Sequence, residues 1–236
     1  IMNRLLHKII APLPGLVRWY LSKPRNYNFG QLKLVIQPGV FHPGLFFSST
    51  FLTTYIQTLP LQGKRVIEVG CGAGLLALTA AHQGAQVIAL DISPQAVSNT
   101  RMNANQNSLT IQVVQSDLFH ALSPAGADWI FINPPYYPKT PVTDQDHAWY
   151  CGENHLYFRR LFQQLQDTHA QIIMVLSDVC DLASINQISH EAGFELKEIQ
   201  RKRVWADGYN YLYRIIRTES GLTATSTHNA GRFYSS

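Results

Sequence analysis

Residues 65–74 read RVIEVGCGAG and lead directly into the alanine-rich segment LLALTAAH at 75–82. A short apolar run rich in β-branched residues ends here in alternating glycines, and an apolar segment of helical composition follows. Glycines let the backbone turn tightly and approach a ligand, while a helix N-terminus presents free N–H groups. This stretch therefore predicts a strand, a ligand-binding turn and a helix, which is the first unit of an α/β sheet.

The sequence of the glycine turn excludes two common nucleotide-binding turns. A dinucleotide fingerprint, G-x-G-x-x-G starting at Gly70, requires glycine at position 75, where Leu75 stands. A P-loop requires a Lys-Ser or Lys-Thr pair, which the turn lacks. The ligand must therefore be recognised by other residues as well.

Strand-like and helix-like segments alternate along the chain after Arg65, which is typical of a parallel sheet with helices on both faces. In the segment WADGYN, Asp207-Gly208 marks a hairpin turn, so we expect the sheet to end in an antiparallel hairpin. The predicted strands are 65–70, 86–91, 111–117, 127–133, 171–177, 194–204 and 210–217, and the predicted helices are 74–83, 94–106, 153–168 and 181–192.

Composition describes one globular domain with extensions. The 236 residues are 46% hydrophobic and 14% charged, enough for one buried core. We expect an N-terminal extension or cap at 1–45, the main domain at 46–217 and a flexible tail at 218–236. Pro12, Pro14 and Gly15 interrupt the apolar N-terminus, so no membrane span is predicted.

The three cysteines, Cys71, Cys151 and Cys180, form no C-x-x-C pair. Neither a disulfide framework nor a metal site is predicted, and a cytoplasmic location fits this pattern.

Charge is distributed unevenly between the front and the body of the chain. Residues 1–67 hold eight Lys or Arg and no acid, so the remainder holds 19 − 8 = 11 bases against 15 acids. Such asymmetry would attract an anionic partner such as RNA toward the front. A solvated basic face explains it equally well, and the sequence leaves both interpretations open.

Acidic residues lie at the ends of the first three predicted strands. Glu68 belongs to the first, Asp91 ends the second and Asp117 ends the third. The carboxylate of Asp91 can accept hydrogen bonds from two ribose hydroxyls. NAD enzymes use an acid in the same way, so Asp91 alone does not identify the cofactor. Together the three acids suit a ligand with a cationic amino-acid end, a ribose and an adenine. That ligand is S-adenosylmethionine.

Over roughly residues 40–217 the chain resembles the class I S-adenosylmethionine-dependent methyltransferases. EVGCGAG, LDIS, SDLF and NPPY are similar to four motifs of that family. The resemblance implies a Rossmann-like, seven-stranded, mostly parallel sheet with S-adenosylmethionine as cofactor; Cys71 is expected to contribute backbone rather than a catalytic thiol. The implied cofactor-binding residues are Thr50, Glu68, Gly70, Cys71, Gly72, Gly74, Asp91, Ile92, Asp117, Leu118 and Asn133.

The stretch FINPPYYP at 131–138 follows a buried strand and carries the predicted chemistry. The side-chain oxygen of Asn133 and the carbonyl of Pro134 can accept hydrogen bonds from a planar N–H₂ group and so orient its nitrogen. Tyr136 can lie against the flat acceptor. We predict Asn133, Pro134 and Tyr136 as catalytic residues, and these three with Pro135 and Phe46 as substrate-binding residues.

In the resembling families NPPY marks methylation of a planar nitrogen, in a glutamine amide or a nucleobase. Residues 40–56 and 147–162 are similar to segments of HemK-type glutamine methyltransferases that modify release factors. Two features depart from that type: Cys151 replaces a glycine, and Asn154-His155 stands where the family has Asp/Gly. A protein glutamine amide is the preferred acceptor. An adenine- or guanine-type RNA base, a small molecule and a non-catalytic cofactor-binding role stay open.

The segment LTIQVVQS at 109–116 has no charge and no proline. In this fold the third strand lies at a sheet edge, and an uncharged edge can pair with another chain. The resembling archaeal and eukaryotic enzymes dock a small zinc-binding activator protein there. A partner chain or self-pairing along this strand is therefore one hypothesis. The alternative is that Gln112 and Gln115 keep the edge soluble, or that the N-terminal segment covers it.

Overall fold

The computed structural model describes residues 21–204 and 208–218. An antiparallel hairpin comes first, and a seven-stranded sheet with its helices follows. The strands are β1 Arg25–Phe29, β2 Leu32–Ile36, β3 Arg65–Val69, β4 Gln86–Asp91, β5 Gln112–Gln115, β6 Trp129–Ile132, β7 Gln171–Ser177, β8 Phe194–Val204 and β9 Gly208–Arg217. The α-helices are α1 Phe47–Ile56, α2 Leu75–His82, α3 Pro94–Gln106, α4 Leu156–Gln164 and α5 Leu182–Glu191.

The large sheet has the strand order β5-β4-β3-β6-β7-β9-β8. The first five strands in this order pair in parallel, and β9 pairs antiparallel with both β7 and β8. The predicted fold class, a mostly parallel seven-stranded sheet with a C-terminal antiparallel hairpin, is confirmed. The order reverses between β3 and β6, and an open α/β sheet holds its ligand at such a point.

The core has a layer on each face of the sheet, because the central strands are buried on both sides. Ile130, Phe131 and Ile132 are all fully buried. Phe131 packs with residues of α1, α2 and α3 on one face, whereas Ile130 and Ile132 pack with α4 and α5 on the other. The prediction of helices on both faces is confirmed.

The first hairpin and α1 were not among the predicted elements. Alternate residues of β2, Leu32, Leu34 and Ile36, are buried, and they cluster with residues of α2 and α3. Asn99 and Asn103 of α3 both donate to the carbonyl of Val35, at 2.7 and 3.1 Å. Residues 25–36 of the predicted cap are therefore fastened to the main domain.

Several predicted elements are shorter than expected, among them the predicted strand 127–133, which is observed as Trp129–Ile132. The predicted helix 153–168 is a 3₁₀ turn, Glu153–His155, followed by α4, because Asn154 and His155 adopt positive φ angles of 53° and 57°. The predicted third strand is reduced to Gln112–Gln115.

Three expectations concern segments outside the described residues: the first 20 residues of the cap, most of the tail 218–236, and Asp207 of the hairpin turn. Among the described residues, no helix has both the length and the apolar character that a membrane crossing requires.

Candidate active site

A cavity of about 300 Å³ lies at the carboxyl ends of the parallel strands. The loops that follow β3, β4, β5 and β6 all contribute to its wall, as expected for parallel strands that end at one sheet edge. Of the predicted site residues it brings together Phe46, Glu68, Gly70, Cys71, Gly72, Asp91, Ile92, Asp117, Leu118, Asn133, Pro134, Pro135 and Tyr136. Thr50 and Gly74 are not part of the lining.

The glycine turn uses its glycines in two ways. All three have positive φ angles, 76° at Gly70, 53° at Gly72 and 87° at Gly74. A Cβ added to Gly70 would meet no atom within 4 Å, so the backbone of this residue is open to a ligand. A Cβ on Gly74 would lie 2.8 Å from Leu78 and from Thr100. Gly74 is therefore needed for packing rather than for contact with a ligand.

Glu68 is buried where β3 meets α2. Its Oε2 accepts a hydrogen bond from the backbone N–H of Ala77 at 2.8 Å, and the residue is only 2% exposed. Burial, with a smaller contribution from the charge of Asp91, raises the pKa of the Glu68 carboxyl well above its usual range. Glu68 thus lines the cavity and also satisfies an N–H at the start of α2.

Asp91 is the last residue of β4 and fixes two loops through hydrogen bonds. Its Oδ2 accepts from the N–H of Gly72 and its Oδ1 from the N–H of Ser93, both at 2.9 Å. Burial raises the pKa of the carboxyl despite these bonds. Each carboxylate oxygen can accept more than one hydrogen bond, so Asp91 keeps the capacity to bind hydroxyl groups while fixing the glycine turn.

Asp117 is paired with a residue that no motif in the sequence indicates. Arg160 of α4 approaches it with Nη1 2.7 Å from Oδ2, and both side chains are about one-third exposed. Leu118, the next residue, is buried with a positive φ of 53°. The Arg160–Asp117 pair therefore connects α4 to the loop after β5.

Asn133 is held by the first turn of α1. Its Nδ2 donates to Oγ of Ser49 at 3.0 Å, and its Oδ1 accepts a long hydrogen bond of 3.4 Å from the Tyr136 hydroxyl. Ser49 is 4% exposed and lines the cavity. The predicted neighbour Thr50 instead donates to the carbonyl of Phe47, within its own helix. Recognising α1 as a helix would have favoured Ser49, because adjacent residues lie on different helix faces.

Three aromatic rings, Phe41, Phe46 and Trp149, form a cluster in the cavity wall. Phe41 stacks on Phe46 with centroids 4.9 Å apart, and Trp149 meets Phe46 edge-on at 4.9 Å and Phe41 at 5.3 Å. All three are half-buried. This aromatic cluster gives the wall an apolar surface suited to a flat group.

The cysteines near the cavity are poor nucleophiles. Cys71 and Cys151 are buried free thiols. Burial raises the pKa of Cys71 well above its usual range and that of Cys151 to about 11. Both thiols therefore stay protonated near neutral pH. Among the described residues, no group of three or more His, Cys, Asp or Glu is arranged to hold a metal ion.

The family model described as "Methyltransferase small domain" matches residues 31–149, which is half of the chain and includes the glycine turn, Asp91, Asp117 and Asn133. The chain belongs to this methyltransferase family. The predictions of the methyltransferase family and of S-adenosylmethionine as its cofactor are confirmed.

The names of similar proteins indicate different acceptors. A ribosomal protein L11 methyltransferase of Thermotoga neapolitana is 30% identical over 183 residues, covering 73% of this chain and 61% of its own length. A protein of Methanocaldococcus jannaschii, whose name marks it as a candidate protein N5-glutamine methyltransferase, is 32% identical over 110 residues, covering 46% of this chain and 53% of its own. The chain thus spans about 61% of the length of the first of these relatives.

Solved structures share the fold at lower sequence identity. The Mtq2–Trm112 complex of E. cuniculi, responsible for methylation of the eRF1 translation termination factor, matches with a TM-score of 0.58 and 15% identity, over 76% of this chain and 99% of that one. The 16S rRNA N2 G1207 methyltransferase of T. thermophilus, in complex with AdoMet and guanosine, matches with a TM-score of 0.59 and 18% identity, over 83% and 50%. These likenesses show the fold and leave the acceptor open.

Proposed function

We propose that the chain is an S-adenosylmethionine-dependent N-methyltransferase that acts on a planar nitrogen, and that its acceptor is a glutamine side-chain amide of a protein. The observation that carries this proposal is the restraint on Asn133. The Ser49 hydroxyl accepts a hydrogen bond from Nδ2 of Asn133 and so orients the side-chain amide. Oδ1 is then left for the cavity and for the weak contact with Tyr136.

The residues around the glycine turn fit the cofactor. The open face of Gly70 gives room for close approach, Asp91 has spare lone pairs for ribose hydroxyls, and the Asp117 carboxylate lies where the adenine edge is expected. The Glu68 carboxyl lines the cavity beside the glycine turn, where its oxygens can accept hydrogen bonds from the amino-acid end of the cofactor. S-adenosylmethionine itself brings a methyl group activated on a sulfonium.

The chemistry assigned to the protein is orientation of the acceptor. An amide nitrogen is a weak nucleophile because its lone pair is delocalised. Hydrogen bonds from its two N–H groups to Asn133 Oδ1 and the Pro134 carbonyl would fix its direction and favour the positive charge that develops on transfer. The extra proton then leaves to solvent, so no strongly basic side chain is required.

Glutamine is favoured as acceptor by two comparisons and one surface. One relative carries a glutamine methyltransferase name, and one structural neighbour methylates a translation factor. The aromatic cluster of Phe41, Phe46 and Trp149 offers apolar contact to the flat amide and its aliphatic stem. A translation factor is accordingly our candidate for the substrate class.

An RNA base is the second candidate, because basic and aromatic side chains lie on the C-terminal hairpin near the site. Arg201 and Arg203 of β8 lie over the ring of Tyr209, at 5.6 and 6.0 Å, and Tyr209 is 37% exposed. These residues are at the same sheet end as the cavity, since Asn210 pairs with Ser177. Cations combined with aromatic rings suit nucleic-acid strands.

A partner chain along β5 is also proposed. The strand lies at the sheet edge, but Arg101 already donates to the Val113 carbonyl at 2.7 Å. Val113 is buried, so a lysine there would disturb the core. Gln112→Lys, at an exposed position, is the appropriate test: sedimentation should show loss of a dimer or complex, and a wild-type chain that is monomeric and fully active alone would exclude the partner.

The proposed compartment is the cytoplasm, because the three thiols are free and buried and a reducing environment would keep them so.

The acceptor can be identified by incubating the chain with methyl-labelled S-adenosylmethionine and cell extract, with ribonuclease or protease added in parallel. We expect label in protein that protease removes and ribonuclease does not, and alkaline hydrolysis should release labelled methylamine from a methylated amide. Asn133→Ala serves as the inactive control. Label lost to ribonuclease would favour the RNA base instead, and no Asn133-dependent label in either fraction would contradict the proposal.

A further inference from the structure

Asn210 of β9 is a buried residue in the cavity wall with an unused hydrogen-bond donor. The residue is 2% exposed and lines the cavity. Its Nδ2 has no hydrogen-bond partner among the residues that the structure describes. Buried amide donors in folded proteins are nearly always satisfied, so this donor indicates a position where a ligand oxygen could bind.

The position of Asn210 in the sheet relates it to Asn133. Asn210 pairs with Ser177 of β7, and β7 pairs with β6, which leads into Asn133. Asn210 therefore lies at the same sheet end as Asn133, two strands or about 10 Å across the sheet and two residues or about 7 Å further along the strand direction, which places the two Cα atoms about 12 Å apart. Two hydrogen bonds of about 2.9 Å each, with a planar amide between them, join side-chain atoms about 8 Å apart, so the two asparagine side chains need to close only the remaining few ångströms.

Asn210 also faces the same layer as Ser49. Leu212, two residues along β9, has its side chain on the same face as Asn210 because strand side chains alternate. Leu212 belongs to the core cluster that contains residues of α1, the helix whose Ser49 holds Asn133. Asn210, Ser49 and Asn133 thus line the cavity from the same face of the sheet.

We propose that Asn210 is a substrate-binding residue, and that its Nδ2 donates a hydrogen bond to the carbonyl oxygen of the carboxamide whose nitrogen is methylated. The assignment rests on the proposed function. Asn133 and Pro134 accept from the nitrogen of the acceptor, and Asn210 donates to its oxygen, so the two ends of the amide are distinguished. A primary amine such as a lysine side chain offers no such oxygen and would bind less well.

The hydrogen bond from Asn210 contributes binding and selectivity rather than acceleration. A donor on the carbonyl oxygen does not increase the electron density on the nitrogen, so it should not speed the transfer itself. Its loss should therefore raise KM and leave kcat little changed. This pattern differs from that expected of Asn133, which acts on the transferred nitrogen.

A direct test follows the side-chain ¹⁵N–¹H resonance of Asn210 while N-acetylglutamine amide is added to the protein saturated with S-adenosylhomocysteine. We expect the Asn210 resonance to shift with added amide. The buried and fully bonded amide of Asn103, which donates to Val35 and Ala73, should not shift and serves as the internal control. An Asn210 resonance that is unmoved up to the solubility limit of the probe would overturn the proposal.

Variants separate the binding role from a structural one. Asn210→Leu removes an unpaired buried donor, so the melting temperature should stay equal or rise, whereas KM for the labelled protein acceptor in extract should rise at least tenfold. Asn99→Leu is the matched control. It breaks bonds to Val35 and Gln37, so it should lower the melting temperature. Asn210→Ala provides the same kinetic test if leucine does not fit.

The outcomes also separate this inference from the proposed function. If Asn133→Ala abolishes protein methylation while Asn210→Leu and Asn210→Ala keep the wild-type KM, the inference fails and the proposed function stands. If no Asn133-dependent methylation of protein occurs, the proposed function itself fails.

Discussion

The cofactor side and the acceptor side of the cavity differ in how their polar groups are satisfied. On the cofactor side, each acid already has a protein partner: Glu68 the N–H of Ala77, Asp91 the N–H groups of Gly72 and Ser93, and Asp117 the side chain of Arg160. On the acceptor side, Asn133 has one firm bond and one long one, and the donor of Asn210 has no partner within residues 21–204 and 208–218.

This difference indicates that the two sides of the cavity have different roles. Acids that are bonded to the backbone keep the cofactor side in one shape whether or not a ligand is bound. Amides with spare capacity leave the acceptor side ready to form its hydrogen bonds with the substrate. The two sides should therefore respond differently to substitution.

The largest effect is expected at Asn133. Asn133→Ala removes an oriented acceptor that acts on the reacting nitrogen, so the rate of transfer should fall about 10²- to 10³-fold. Single-turnover transfer of labelled methyl groups measures this loss. A wild-type rate in the variant would remove the distinction between the two sides.

At Asp91 we expect a smaller effect, on cofactor affinity rather than on the rate of transfer. Asp91→Ala should weaken S-adenosylhomocysteine binding by roughly 30- to 150-fold, because hydrogen bonds to the ribose are lost, and the turn also loses its bond to Gly72. Asp128→Ala is the matched control, since Asp128 accepts from the N–H of Arg65 at the opposite sheet end and should leave binding unchanged. Unchanged affinity in Asp91→Ala, or tight NAD binding by the wild type, would contradict the assignment.

Ser49 sharpens the comparison because it acts through Asn133. Ser49→Ala should lower kcat about 10-fold, the equivalent of one hydrogen bond, without changing cofactor affinity. Thr50→Ala removes the adjacent hydroxyl, which donates to the Phe47 carbonyl within its own helix, and should have the wild-type kcat. In an Asn133→Ala background Ser49→Ala should have no further effect, and full additivity would exclude the positioning role.

The smallest effect concerns the dependence of stability on pH. Burial raises the folded-state pKa of Glu68 above its ordinary value of 4.5, so between those two values the folded state binds more protons than the unfolded state. Wild-type stability therefore falls as pH rises through this window. Glu68→Gln keeps an acceptor for Ala77 but cannot ionise, so its stability relative to wild type should increase with pH. Urea unfolding at several pH values measures the difference in unfolding free energy between the two proteins. If this difference does not change with pH, the raised pKa of Glu68 in the folded state is contradicted.

Two acceptor-side residues, Ser49 and Asn210, could not be predicted from the sequence, for a physical reason. The glycine turn, Glu68 and Asp91 lie within one strand–helix–strand unit, where local spacing determines their positions. The acceptor side is assembled from distant segments: Ser49 meets Asn133 across 84 residues, and Asn210 arrives on the antiparallel strand β9. No local pattern indicates such contacts, since they depend on strand order and on where α1 packs.

The same reasoning explains the missed elements. The β1–β2 hairpin depends on Asn99 and Asn103 of α3, more than 60 residues away, for its attachment. In the sequence, Arg160 looks like any exposed cation on a helix. Its pairing with Asp117 depends on how α4 packs in the folded chain.

The division between the two sides is tested most directly by calorimetric titration of Asn133→Ala with S-adenosylhomocysteine, with Asp91→Ala alongside. We expect Asn133→Ala to bind S-adenosylhomocysteine with the wild-type Kd to within about twofold, although its rate of methyl transfer is about 10²- to 10³-fold lower. A Kd weakened as strongly as that of Asp91→Ala would show that Asn133 belongs to the cofactor site and would contradict the account.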